Sequence, residues 1–425
     1  MTTPRSSRRA FLERGGAAAG ALAMPGLLRL AEASERSATL SRPTDLKITQ
    51  TRCAFVRGGS RLFVKIHTNQ DLWGCGEGVD ATTGTYELVK RFGRMLEGKS
   101  PLDVHRLYEE MRRAGLFGGA QSGMYVAALS AIETALWDLT GKALGLPVYQ
   151  LLGGKFRDRI RLYCDTALYQ RQLPTPADFA RAAREAVEMG FTAVKFDLDQ
   201  ANDPKKYDAY NWTASPGELR RMVDQITAVR EAVGPEIDVC VDMHGRYDMT
   251  TGEQVARRME PLNLMWLEEP IPAENVEAYR RITESTSTPI CAGENHYLAQ
   301  GFRPLLEAGA VDIVMPDLQK AGGLGEGQRI ANLASLYYVP FAPHMVASYL
   351  GAMASAHVCA SVPNFMVLEW QIYFHREPMF KEIVSFDGEM VVGGFLPLSQ
   401  KPGIGVEINE EGMRQYAVPG VPFFA

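Results

Sequence analysis

Between Val239 and Trp370 the chain repeats one pattern six times: a short apolar run with a charged or titratable residue at or near its C-terminal end. The runs are Val-Cys-Val-Asp-Met-His-Gly-Arg (239–246), Met-Trp-Leu-Glu-Glu-Pro (265–270), Ile-Cys-Ala-Gly-Glu-Asn (290–295), Ile-Val-Met-Pro-Asp (313–317), Val-Pro-Phe-Ala-Pro-His (339–344) and Phe-Met-Val-Leu-Glu-Trp (365–370). Their marked residues, Asp242, Glu268, Glu294, Asp317, His344 and Glu369, stand 26, 26, 23, 27 and 25 positions apart. One strand, one helix and two loops occupy about that length. Six such steps predict a parallel α/β barrel with all six groups at one mouth.

The chain has 425 residues, which suits a barrel plus an accessory domain. Residues 46–78 alternate like a three-stranded meander with turns at Gly58-Gly59 and Asn69–Asp71, and helical segments follow over 86–97, 101–114 and 126–144. Together they predict an α+β capping domain over residues 45–155. The barrel then spans 156–375, its first strands at 160–166 and 193–199, and the segment 376–425 returns to the cap. Trp73-Gly-Cys-Gly-Glu-Gly78 is glycine-rich but is not GxGxxG and sits in no βαβ unit, which argues against a phosphate cradle. Ala321-Gly-Gly-Leu-Gly-Glu-Gly327 reads as a tight loop entering a helix.

At the N-terminus, Ser7-Arg8-Arg9-Ala10-Phe11-Leu12 matches a twin-arginine export signal occupying residues 1–33, which predicts a periplasmic protein. Pro25 and Arg29 interrupt its apolar run, so it is a poor membrane anchor. A formal charge of −5 favours neither nucleic acid nor an anionic membrane as partner. The six cysteines form no CxxC pair, and most read as small buried hydrophobes. Cys53 and Cys75 are expected on successive strands of the meander, where export would let them pair.

Asp242, Glu268 and Glu294 close three consecutive predicted strands, so their carboxylates converge. Unpaired, such anions repel and raise each other's pKa, and a divalent cation removes that penalty. An all-oxygen set suits Mg²⁺ (or Mn²⁺) rather than zinc. Glu269 points to the opposite face by strand alternation and reads as structural or as a hydrogen-bond partner of the ligands. Asp317 and His344 close the next two strands, where the carboxylate can fix the imidazole tautomer and make a general base. Lys195, mid-strand in Ala-Val-Lys-Phe-Asp, is a poor core residue and should point into the mouth towards a substrate carboxylate, with Asp197 on the same face.

This order of a lysine strand, Asp-x-His, Glu-Glu-Pro, Gly-Glu-Asn, Pro-Asp, Pro-His and Leu-Glu resembles the mandelate racemase branch of the enolase superfamily, across essentially the whole chain after the signal. The resemblance implies a modified TIM barrel of (β/α)7β type under an N-terminal cap, and a small-molecule carboxylate whose α-proton is removed to give an enediolate. It implies Mg²⁺ on Asp242, Glu268 and Glu294, and His344–Asp317 as the base dyad. Glu369 would donate to the enediolate oxygen, and the chain would assemble as dimers or their multiples.

One departure narrows the subgroup. Racemases of this kind carry Lys-x-Lys where this chain has Lys195-Phe-Asp197, so a two-base racemase is disfavoured. Asp242-Met-His244 instead resembles the sugar-acid dehydratases of the galactonate and mannonate types, in which that histidine protonates the departing 3-hydroxyl. The expected reaction is dehydration of an aldonate to a 2-keto-3-deoxy acid. An epimerase or cycloisomerase would share its first step, whereas a barrel glycosidase or a non-catalytic sugar-acid binding protein would need only part of the constellation. Asp197, Arg246, His296 and Trp370 are candidates for substrate contact. Residues 57–60, 79–85 and the aromatic loop 200–216, which reads as a lid, are the expected determinants of which acid is accepted.

Overall fold

In the cap, strands β1 (Ile48–Val56), β2 (Arg61–Thr68) and β3 (Trp73–Gly78) form the antiparallel meander, in the order β1-β2-β3. The computed structural model describes residues 45–56, 61–168, 173–208 and 210–425; the expected export signal and the Gly58-Gly59 turn lie outside them. Cys53 on β1 pairs in register with Val64, and Cys75 on β3 with Lys65, so β2 separates the two cysteines. They are not on successive strands, which corrects the expected placement, and all six cysteines are free and buried.

Helices Thr83–Leu96 and Gly123–Leu144 pack on this sheet and Val104–Arg113 packs against those two helices, with Gly123–Leu144 ended by Gly145 in the left-handed conformation (φ 70°). The glycine-rich run on β3 has a packing cause. A Cβ on Gly74 would stand 2.3 Å from the Ala135 carbonyl oxygen, and one on Gly76 would stand 2.2 Å from that of Ala131. Only glycine lets Gly123–Leu144 lie this close to the strand.

The barrel strands are β4 (Arg159–Asp165), β5 (Ala193–Asp197), β6 (Asp238–Asp242), β7 (Trp266–Glu268), β8 (Ile290–Ala292), β9 (Ile313–Val314) and β10 (Leu368–Gln371). They pair in parallel in the order β10-β4-β5-β6-β7-β8-β9. Phe341 bridges Val314 on one side and Phe365 on the other, which supplies the remaining stave and closes the ring. Helices alternate with the staves, so the expected (β/α)7β barrel and its α+β cap are the architecture found.

Inside the ring Tyr163, Ala193, Cys240, Trp266, Cys291, Ile313, Ala342 and Val367 form an apolar plug separate from the main core. Side chains alternate along a strand, so the residue two places further along also faces inward, one layer higher. Those residues are Asp165, Lys195, Asp242, Glu268, His344 and Glu369 on six of the staves. The site is thus the polar layer resting directly on the plug.

The C-terminal segment ties the two parts together. Phe395–Pro397 pairs antiparallel with the start of β4, while the amides of Val418 and Phe424 donate to the carbonyls of Phe55 (3.0 Å) and Cys53 (2.9 Å) on β1. Between them Ile404 accepts from His357 Nε2 at 2.9 Å, and His357 Nδ1 accepts from the Tyr149 amide at 3.2 Å. Both ring nitrogens are committed to the neutral form, and burial lowers the His357 pKa to about 4. The unfolded chain, with its histidine near 6.5, therefore takes up the proton first as pH falls. Stability is full above pH 6.5 and declines towards pH 4, by at most about 3 kcal/mol from this group. Thermal melts across that range should show a shallower decline in His357→Gln than in the wild type; equal slopes would refute the assignment.

Candidate active site

Lys195 stands at the centre of the polar layer, 2% exposed. Its Nζ lies 3.0 Å from Glu369 Oε1, 3.3 Å from Asp242 Oδ2 and 3.4 Å from Glu268 Oε1. Burial opposes its charge, but Glu268 and Glu369 outweigh it and hold the ammonium well above the usual lysine range. Glu268 also accepts from the Trp266 indole at 3.1 Å. Burial and then the charge of Asp242 push the Glu268 carboxyl well up, the mark of acids crowded together in a dry site.

His344 lies across the mouth. Its Nδ1 is 2.8 Å from Asp317 Oδ2, and its Nε2 is 2.9 Å from Glu294 Oε2 and 3.5 Å from Glu369 Oε2. Burial works against a charge on the ring, but the anions of Glu369 and Glu294 and the bond to Asp317 overcome it and raise the pKa well above 6.5. Burial likewise opposes ionisation of Glu294, yet His344 holds that carboxyl well below its usual range. Glu269 accepts from Asn295 Nδ2 at 2.7 Å and from the Gly293 amide at 3.3 Å, which fixes the loop carrying Glu294. A Cβ on Gly293 (φ 152°) would sit 2.7 Å from the Met315 backbone, so the chain can turn out of β8 there only as glycine.

His244 occupies the left-handed region (φ 45°), held by a 2.7 Å bond from its own amide to Asp242 Oδ1. This unusual backbone aims the ring back over the mouth. Its Nδ1 meets Asp199 Oδ1 at 2.8 Å, while Nε2 lies 3.4 Å from Asp242 Oδ2 and 4.0 Å from Asp197 Oδ1. Burial opposes its protonation, but Asp242, Asp197 and Asp199 together raise its pKa well above 6.5. Arg246 pairs with Asp199 at 2.9 Å. Both oxygens of the buried Asp197 lack a hydrogen-bond partner among the described residues.

The ligating atoms of Asp197, Asp242 and His244 all lie within 4.8 Å of one another. Of the acids expected to hold a metal, Asp242 belongs to this group, Glu268 sits beside it on Lys195, and Glu294 faces His344. The donor chemistry fits a hard divalent cation: oxygens dominate, the Glu268 carboxyl is pushed up by burial and Asp242, and the Asp197 carboxylate is unsatisfied.

Two candidates for substrate contact face elsewhere. Trp370 lies on β10 between the inward Glu369 and Gln371, so alternation turns it outward. It is fully buried, donates to His375 Nε2 at 2.9 Å and stacks on Tyr349 at 5.5 Å, which makes it a packing residue. His296 packs on Phe302 of helix Leu298–Glu307 at 5.6 Å, and burial lowers its pKa to about 4.

The site also contains residues outside the expected set. Asp165 faces Lys195 in register, Gln371 donates to Glu369 Oε1 at 2.9 Å, and Asp199 holds His244. Lys320 reaches from the barrel to Asp80 in the cap. Asp165 carried a usable signal, because Leu-Tyr-Cys-Asp (162–165) is one more apolar run ending in an acid.

Comparison with known proteins places this geometry among relatives. The model for the mandelate racemase / muconate lactonizing enzyme N-terminal domain matches residues 37–153, and the enolase C-terminal domain-like model matches 178–412. D-xylonate dehydratase of Haloferax volcanii is 37% identical over 382 residues, spanning 89% of this chain and 91% of that protein. D-galactonate dehydratase of Variovorax paradoxus is 34% identical over 82% of this chain and 89% of its own length. Among solved structures, a mandelate racemase/muconate lactonizing enzyme-like protein from Rubrobacter xylanophilus superposes with a TM-score of 0.85 at 45% identity, covering 90% of this chain and 100% of that one.

Proposed function

The chain belongs to the mandelate racemase and muconate lactonizing enzyme branch of the enolase superfamily, and from that premise we propose that it converts an aldonate into a 2-keto-3-deoxy acid by removing water. It is a hydro-lyase of that superfamily, similar along most of its length to dehydratases of D-xylonate and D-galactonate. The observation that carries the reading is a pair of histidines on opposite sides of one carboxylate cluster, His344 held by Asp317 and His244 held by Asp199. They follow the seventh and third staves of an eight-stave ring, so they face each other across the mouth.

An elimination needs this division of labour: a base for the carbon-bound proton and an acid for the leaving hydroxyl. In its neutral form, with Nδ1–H donated to Asp317, His344 takes the proton from the carbon beside the carboxylate at Nε2. The buried Lys195 ammonium balances the extra negative charge of the enediolate. His244 passes a proton to the 3-hydroxyl, which departs as water, and the resulting enol becomes the keto acid. Asp242, Glu268 and Glu294 are the residues that would hold Mg²⁺ (or Mn²⁺), which supplies fixed positive charge to the substrate carboxylate when bound. Where racemases of this branch carry a second lysine, two residues after the first, this chain has Asp197, in register with Asp242, which favours elimination over racemisation.

His244→Asn separates the two halves. Exchange of the α-proton with deuterated solvent should persist, while keto acid formation, read by semicarbazide, should fall by about 10²–10⁴-fold. Unchanged keto acid formation would remove His244 from this role, and a wild type that returns only an epimerised acid would make the protein an isomerase.

A further inference from the structure

We propose that Glu77 and Arg61, both in the capping sheet, are positioning residues for His344. The inference rests on the reading of His344 as the base. A proton acceptor must be held to within a fraction of an ångström of its working place. Yet residues 342–348, which carry the imidazole, lie outside any helix or strand.

That stretch is pinned from two sides. On the barrel side the Ala342 amide donates to the Val314 carbonyl at 3.0 Å, the Pro343 carbonyl accepts from the Glu369 amide at 3.2 Å, and the Met345 amide donates to Glu369 Oε2 at 2.8 Å. From Val346 to Ser348 the tethers come from the cap. Arg61 Nη2 donates to the Val346 carbonyl at 2.6 Å. Glu77 accepts from the Ser348 amide at 2.9 and 3.1 Å, from Ser348 Oγ at 2.6 Å and from the Gly351 amide at 3.2 Å. Arg61 Nε lies 3.7 Å from Glu77 Oε1, so the two residues form one charged unit, with Glu77 fully buried and Arg61 nearly so.

Local chemistry is arranged around this unit. The carboxylate occupies the N-terminus of helix Tyr349–Ser361, where free amides and the helix dipole favour an anion. A Cβ on Gly351 would stand 3.3 Å from Glu77 Oε2 and 2.3 Å from Ala347 Cβ, so a side chain there would disturb both the carboxylate and the loop. The alternating glycines of β3 complete the arrangement by seating the strand deep enough for Glu77 to reach the barrel. Glu77 also precedes Asp80, which engages Lys320 near the mouth. The cap segment expected to read the substrate is therefore continuous with the residue that braces the base.

Kinetics on Glu77→Gln, Glu77→Asp and Ser348→Ala, with thermal melts, test this. Glu77→Gln is expected to lower kcat about tenfold or more with KM within about twofold, because a misplaced base slows proton abstraction without altering substrate binding. Solvent-deuterium exchange at the α-carbon should slow in parallel, and Glu77→Asp should recover part of the loss. Ser348→Ala removes one bond and should show the same kcat-selective loss to a smaller degree, which keeps the test open should Glu77→Gln fold poorly. Variants that lose only thermal stability, with wild-type kcat below their melting range, would overturn the proposal. His344→Asn in the same assay separates the premises. Should it keep full exchange, the base reading falls and the brace with it. Should it lose exchange while both Glu77 and Ser348 variants keep full kcat, the brace alone is wrong.

Discussion

His344→Asn is expected to lose turnover by about 10²–10⁴-fold while binding its aldonate as tightly as the wild type. The ring nitrogen facing the mouth is the group that accepts the carbon-bound proton, whereas Lys195 and the carboxylates that position the substrate remain in place. Removing an interaction made only in the transition state lowers kcat and kcat/KM together and leaves ground-state affinity intact. Steady-state kinetics beside calorimetric titration with substrate read both quantities. Wild-type turnover in the variant would end the assignment, and a wild-type protein that binds aldonates without converting them would place the chain among binding proteins.

Stripping divalent cations with EDTA is expected to abolish activity, and readdition of Mg²⁺ to restore it. The physical reason is the surplus of buried carboxyl groups: Asp165, Asp197, Asp242, Glu268 and Glu369 gather round Lys195, and Glu294 stands beside His344. Lewis-acid stabilisation of a developing dianion is worth several kcal/mol, so its loss exceeds what the remaining cations supply. The metal should also raise the melting temperature, since it binds the assembled carboxylates and not the unfolded chain. Full activity in chelator, with no thermal shift on adding magnesium, would refute the metal assignment.

Much of this was legible because a barrel strand converts a period-two pattern into layers. Cys240 and Asp242, or Trp266 and Glu268, are two positions apart in sequence and stacked in space, so an acid closing an apolar run announces itself. The same rule, applied to Trp370 beside Glu369, would have sent the indole outward at once. Other features depend on segments far apart in the chain. Glu77 meets Ser348 across 271 positions and Lys320 meets Asp80 across 240, and neither residue has a local pattern that names its partner. Asp199 follows its strand in a loop, where no period tells which way a side chain turns. The placement of Cys53 and Cys75 on successive strands failed on topology: the two residues sit on β1 and β3, and the strand between them sets their separation.

The return of residues 417–424 to β1 bears on how such proteins can be recombined. A graft that exchanges the N-terminal module of one relative for another at a single crossover near Gly153-Gly154 would leave the donor's first strand facing a foreign tail. Its open hydrogen-bonding edge would then invite association between copies. Transplanting specificity by shuffling therefore needs both termini from the same parent, because the outer sheet is written in two distant pieces of the gene.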